Sequence, residues 1–154
     1  MSNEIRNLEP SIIWNNFCKL NAVPRPSKKE EKVIKFMHDF GVSLGLETQI
    51  DKVGNVIIFK PATDGMENRK TVVLQSHLDM VHEKNNEVDF DFEKSGIQMY
   101  VDNDWVRAKG TTLGADNGLG VATIMSVLES NDIAHPKIEA LFTIDEETGM
   151  TGAL

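Results

Sequence analysis

Residues Gly118 to Ile144 read GLGVATIMSVLESNDIAHPKIEALFTI. Two periods meet in this stretch. Val121, Ile124, Met125 and Leu128 recur at i, i+3, i+4 and i+7, which predicts a helix. Pro136 cannot continue it, and Lys137 to Ile144 is then almost unbroken in apolar character. Such a run suits a strand covered on both faces. A partner strand lies upstream, where Thr71-Val72-Val73-Leu74-Gln75 runs into Ser76-His77-Leu78-Asp79. Strand, helix and strand in that order predict a βαβ-type unit.

Outward from this unit the pattern is mixed. Glu9 to Leu20 reads as a helix, with Pro10 in its first turn and Ile13, Phe17 and Leu20 on one face. Val23-Pro24-Arg25-Pro26 stops it. Ser27 and Glu30 have the spacing of a capping box, and Val33, Phe36, Met37, Phe40 and Leu44 form the stripe of a second helix closed by Gly45. Thr48–Asp51 and Val56–Phe59 flank Gly54-Asn55, the signature of a hairpin. Ile97–Val101 and Trp105–Ala108 predict another hairpin, and the polar stretches Asp64–Lys70 and Lys84–Ser95 predict loops. The fold expected is α/β, a mixed β-sheet flanked by helices.

The chain has 154 residues and a formal net charge of −8, with 40% hydrophobic and 26% charged residues. One domain with a real core fits that length. The negative balance argues against nucleic acid or an anionic membrane as partner. Cys18 is the one cysteine, so no intrachain disulfide is possible, and it reads as a small core residue. MSNEIRNLEP has no apolar core of a signal peptide, and no run has the ~20 apolar residues of a membrane span. Cytoplasmic location is the expectation.

Three places set acids or histidine where an apolar element ends. In SHLDM, His77 and Asp79 are two apart and point to one side of an extended chain. Imidazole is a common zinc ligand and gives its other N–H to a carboxylate or carbonyl, but H-x-D alone also fits a strand-end histidine with a chance acid nearby. In LGADNGLG, Asp116 sits in a glycine-rich turn before the helix. It reads either as a cap or, with four glycines between 110 and 120, as part of a tighter backbone design. In TIDEETG, Asp145, Glu146 and Glu147 adjoin. A solvated acidic turn explains them, and so does a bound divalent cation supplying the missing positive charge. Nitrogen and oxygen donors without thiolates suit a hydrolytic zinc or manganese site, and strand C-terminal ends are where ligands gather in open α/β sheets.

SHLDMV, GTTLGADNGLGVA and TIDEETGMTGA together resemble the aminoacyl-histidine dipeptidases, also called Xaa-His or beta-alanyl-histidine dipeptidases. These belong to the dinuclear zinc peptidase clan that includes carboxypeptidase G and the bacterial tripeptidases. VPRPS (23–27), KVGN (52–55) and WVRAKG (105–110) extend the resemblance over essentially the whole chain. It implies that His77 ligates one zinc, that Asp79 orients it, and that Asp116 bridges both metals with a cis peptide to Asn117. Glu147 ligates the second zinc and Glu146 is the general base; Asp145 has no direct role. The implied cofactors are two zinc ions, with manganese or cobalt as substitutes. The implied partners are a small peptide substrate and, in the full-length protein, a second copy in a homodimer.

Family members are several hundred residues long. Residues 1–154 correspond to the N-terminal part of their catalytic domain. A third protein ligand for each metal and the inserted lid domain are therefore expected elsewhere, and the chain alone is expected to be inactive. Another peptidase or an N-acyl amino acid deacylase of the clan is the alternative enzyme. A non-catalytic metal-binding module is the alternative if 154 residues is the natural length. Among the remaining residues, His82 reads as a loop histidine, His38 and His135 as solvated, and Trp14 and Trp105 as packing residues.

Overall fold

The computed structural model describes residues 3–154. Its centre is a four-stranded sheet in the order β1 (Glu47–Ile50), β2 (Val56–Lys60), β6 (Ile138–Thr143), β3 (Val72–His77). β1 and β2 are the hairpin expected around Gly54-Asn55, closed by Asp51, whose Oδ1 accepts the N–H groups of Val53, Gly54 and Asn55. β2 meets β6 antiparallel, and β6 meets β3 parallel. The sheet is therefore mixed, and β3 and β6 both run toward the same edge. His77 pairs with Thr143 in that register, so the two strands end side by side.

Between β3 and β6 the chain makes a separate two-stranded hairpin, β4 (Met99–Asp102) and β5 (Trp105–Ala108), and then α4 (Ala115–Glu129). The earlier helices are α1 (Asn3–Arg6), α2 (Ser11–Asn21) and α3 (Glu31–Ser43). One face of the sheet buries Val56, Ile58, Ala140 and Phe142 against Leu20, Val33, Met37, Val121 and Met125 from the three longer helices. Each such side chain contributes about 1.5–3 kcal/mol by leaving water, so this face holds the helices in place. A second cluster, with Ile5, Phe17, Cys18, Met80, Ile97, Met99 and Ala122, ties the hairpin to α1, α2 and α4. The opposite sheet face is barer: Val73 on the free β3 edge is 58% exposed. The strand β6 is thus fully covered on one face and half covered on the other.

Several elements differ from what local patterns suggest. Pro10 precedes α2 as its N-cap, after a cis Glu9–Pro10 bond. The S-x-x-E pattern does not form a capping box: α3 starts after Glu30, and the Ser27 hydroxyl donates instead to Asp79 and to the Met80 carbonyl. Lys60 is buried in β2 because its Nζ donates to the carbonyls of Val127, Leu128 and Ser130 at 2.9, 3.0 and 2.5 Å. It satisfies carbonyls that the end of α4 leaves unpaired. His135 is buried rather than solvated, its Nδ1 facing the Pro136 carbonyl at 2.8 Å. Trp105 is exposed rather than packed: along β5 it falls on the exposed side of the alternation, with Val106 and Ala108 on the half-buried side. Among the described residues no helix is long and apolar enough to cross a membrane.

Candidate metal centre

The ends of β3 and β6 and the start of α4 converge on one edge of the sheet. His77 is the last residue of β3 and is buried. Its Nδ1 donates to the Asp79 carbonyl at 3.1 Å and lies 3.3 Å from Asp79 Oδ1. Its Nε2 lies 3.1 Å from Asp116 Oδ1 and 3.8 Å from Glu146 Oε2. His77, Asp116 and Glu147 each offer a ligand atom, and these atoms all lie within 4.8 Å of one another.

The loop that carries Asp116 depends on its glycines. Gly114 sits at φ 69, which a side chain would strain. Asp116 and Asn117 are non-helical residues joined by a cis peptide, as the resemblance implied. The Asn117 carbonyl accepts a hydrogen bond from the Ser76 hydroxyl at 3.2 Å. A Cβ at Gly120 would sit against the Asn117 side-chain oxygen and 2.8 Å from Ser76 Oγ, so a larger residue there would push against the side chains beside the turn. The result is an Asp116 side chain that is 85% exposed and faces the buried imidazole.

The DEETG turn is held from two sides. Asp145, at φ 56, breaks the strand alternation after β6; aspartate tolerates that conformation better than most residues. Its carboxylate is buried and accepts hydrogen bonds from Lys28 Nζ at 2.5 Å and from the Thr148 and Thr151 hydroxyls. Those donors hold its pKa down to about 2. The peptide N–H groups of Glu146 and Glu147 donate to Asp79 Oδ1 and Oδ2 at 3.0 and 3.2 Å. Asn55 adds a third brace, accepting the Ile144 N–H and donating to the Gly152 carbonyl. Both glutamates therefore reach the same place, although along a regular strand they would face opposite ways.

Asp79 links the two halves. One buried carboxylate meets the imidazole, the Ser27 hydroxyl at 2.7 Å and two peptide N–H groups of the acidic turn. Burial alone would raise its pKa, but these hydrogen bonds hold it well below the usual carboxylate range. Burial likewise pulls the His77 pKa down. Hydrogen bonds to Asp79 and Asp116 outweigh that and hold it up to about 9. Burial pushes Glu147 up, and the neighbouring charges of Asp116 and Glu146 add to this while His77 opposes it. The acids around His77 thus favour a positive charge at its position. A divalent cation can take that role once the proton leaves, since metal binding competes with protonation of its ligands. One imidazole and two carboxylates, with no thiolate near, fit zinc, manganese or cobalt. Asp116 and Glu147 also line a cleft of about 400 Å³ with Val81, Thr112 and Leu113. A larger cavity of about 650 Å³, lined in part by Tyr100 and Lys109, holds none of these five residues.

All five residues singled out in the sequence, His77, Asp79, Asp116, Glu146 and Glu147, come together. His82 does not: its ring packs edge-on against Phe92. His38 lies beside Asp39 on α3. The sequence reading did not single out Ser27, Lys28 or Asn55 as supports of the site. Ser27 and Asn55 carried only the signals of a helix cap and a hairpin turn and a place in the VPRPS and KVGN stretches, and Lys28 carried none.

No protein-family model matches the chain. Two relatives agree with the resemblance read from the sequence. The chain is 48% identical over 150 residues to the cytosol non-specific dipeptidase of Escherichia coli, covering 97% of this chain and 31% of that protein. It superposes on the aminoacylhistidine dipeptidase from Vibrio alginolyticus with a TM-score of 0.95 and 52% identity, covering 97% of this chain and 30% of that one. The aminopeptidase PepT from Bacillus cereus is more distant, with a TM-score of 0.75, 26% identity, and 95% and 39% coverage. The chain thus spans about a third of the length of the relatives it matches.

Proposed function

We propose that this chain carries part of the active site of a metal-dependent dipeptidase that hydrolyses Xaa-His and related dipeptides. The observation that carries the reading is the convergence of ligand atoms of His77, Asp116 and Glu147 within 4.8 Å, with Glu146 3.8 Å from the same imidazole. The names of the Escherichia coli and Vibrio alginolyticus relatives support a dipeptide substrate. One name is non-specific and the other is aminoacylhistidine, which favours a range of dipeptides over β-alanyl-histidine alone. The word cytosol in the first supports a cytoplasmic location.

In this reading His77, Asp116 and Glu147 would help to hold two zinc ions, or manganese or cobalt in their place, with Asp116 serving both. Bound there, the metals would acidify a water and polarise the scissile carbonyl. The protein's own groups do the rest. Asp79 keeps His77 Nδ1 engaged, so that Nε2 is the ligating nitrogen. Glu146 is half-exposed, with only its peptide N–H tied to Asp79. Its carboxylate, 3.8 Å from His77 Nε2, would take the proton of the attacking water and return it to the leaving amine.

The metals' remaining ligands, a substrate-holding lid and a homodimer interface belong to parts of the protein outside residues 1–154, which form the N-terminal part of its catalytic domain. The bare β3 edge, with Val72 and Val73 exposed, supports further packing there. The 154-residue chain alone is then inactive and binds metal weakly. The test is to assay the natural protein with zinc on β-alanyl-histidine, other Xaa-His dipeptides, tripeptides and N-acyl amino acids. Cleavage of the dipeptides is expected. Turnover confined to tripeptides or N-acyl amino acids would move the protein elsewhere in the clan, and zinc binding with no turnover would make it a binding module.

A further inference from the structure

Arg25 is the largest fully buried side chain and makes no ion pair with a carboxylate among the described residues. A buried guanidinium needs acceptors, and here they are mostly backbone carbonyls. Nη1 donates to the Leu78 and Asp79 carbonyls at 3.1 and 3.4 Å. Nη2 donates to Asn21 Oδ1 at 2.8 Å and to the Gly114 carbonyl at 2.6 Å. Nε is buried with no hydrogen-bond partner among the described residues. The fork therefore joins two backbone segments far apart in sequence. One follows His77 directly, and the other stands two residues before Asp116. The Arg25 carbonyl also accepts the Met80 N–H at 3.1 Å, so main chain and side chain hold the same segment.

The second segment is shaped to receive the guanidinium. A Cβ at Gly118 would come within 2.7 Å of Nη2, and one at Gly114 would come closer still. An apolar side chain of similar length would fill the space but would leave three carbonyls without this donor. A lysine would supply charge without the planar fork that spans both segments. Packing alone does not explain a buried cation whose acceptors lie on the two loops that present His77 and Asp116.

We propose that Arg25 is a positioning residue for the metal centre, and that its guanidinium sets the spacing of His77 and Asp116 by clamping the backbone beside each. This rests on the reading of His77, Asp116 and Glu147 as metal ligands. In the metal-stripped natural protein, cobalt uptake is followed by its visible absorption for wild type, Arg25→Met, Arg25→Lys and His77→Ala. A control variant, Met37→Ala, lowers the melting temperature from a core position away from the site. The expected result is that Arg25→Met weakens cobalt binding roughly 10- to 100-fold and alters the band shape, as loss of a ligand's support does. Arg25→Lys should recover part of both, and Met37→Ala should keep the wild-type spectrum. If Arg25→Met does not fold, Arg25→Lys carries the test. A folded variant of Arg25 with wild-type affinity and spectrum overturns the proposal. If instead His77→Ala takes up cobalt as wild type does, the ligand reading itself fails.

Discussion

Two clusters of acidic or imidazole groups meet at Asp79, which belongs to one and braces the other, and they differ in what fills their oxygens. In each, three ligand atoms lie within 4.8 Å: His77, Asp116 and Glu147 in one, Glu30, Asp79 and Asp145 in the other. The second cluster is buried throughout and supplied with donors from the fold. Asp79 receives Ser27 and two peptide N–H groups, Asp145 receives Lys28 and two threonines, and Glu30 receives the Lys28 N–H. The first cluster meets solvent, and the imidazole of His77 is what faces Asp116. Acids brought close together are thus structural where the chain answers them with donors, and open to a cation where it does not. Proximity of carboxylates alone does not separate the two cases.

The largest expected effect is on Glu146, which borders both clusters. In the natural protein Glu146→Gln should lower kcat by roughly 10²–10⁴-fold, the usual worth of a general base, while zinc content stays at the wild-type level. Simultaneous loss of zinc would make Glu146 a ligand and redraw the first cluster. Next comes a crossed pair of substitutions. Asp145→Ala leaves Lys28 and two hydroxyls without their acceptor and should cost about 1–3 kcal/mol in denaturant unfolding. Asp116→Ala, at an exposed side chain, should stay within about 0.5 kcal/mol yet lose zinc. If Asp116→Ala destabilises the fold as much as Asp145→Ala does, the contrast between the clusters collapses.

Much of this arrangement could be read from residue types alone, because the elements obey local rules. The α4 stripe of Val121, Ile124, Met125 and Leu128 packs where its period says, and β6 sits at the middle of the sheet as its apolar run suggests. The acids at strand ends were visible for the same reason. What local pattern could not give is contact across the chain. Ser27 looks like a helix cap until its hydroxyl is found on Asp79, 52 residues away. Asp145 looks idle until Lys28, 117 residues away, reaches it. The Ser27 hydroxyl, the Lys28 ammonium and the two peptide N–H groups on Asp79 arrive by such routes, while Thr148, Thr151 and the Lys28 N–H act locally, so the second cluster was hidden while the first was legible.

The smallest effect concerns the 154-residue chain by itself, in which the first cluster offers three of the expected ligands. Zinc near its dissociation constant adds only about 0.4 kcal/mol, a rise of roughly 1–2 °C in melting temperature. A large rise at micromolar zinc would mean that the described residues already complete a tight site.

The distinction between the clusters is tested most directly by anomalous diffraction at the zinc edge from crystals of the natural protein grown with zinc. Anomalous peaks are expected beside His77 Nε2, Asp116 and Glu147, and none among Glu30, Asp79 and Asp145. A peak in the second group, or none beside His77, would contradict it.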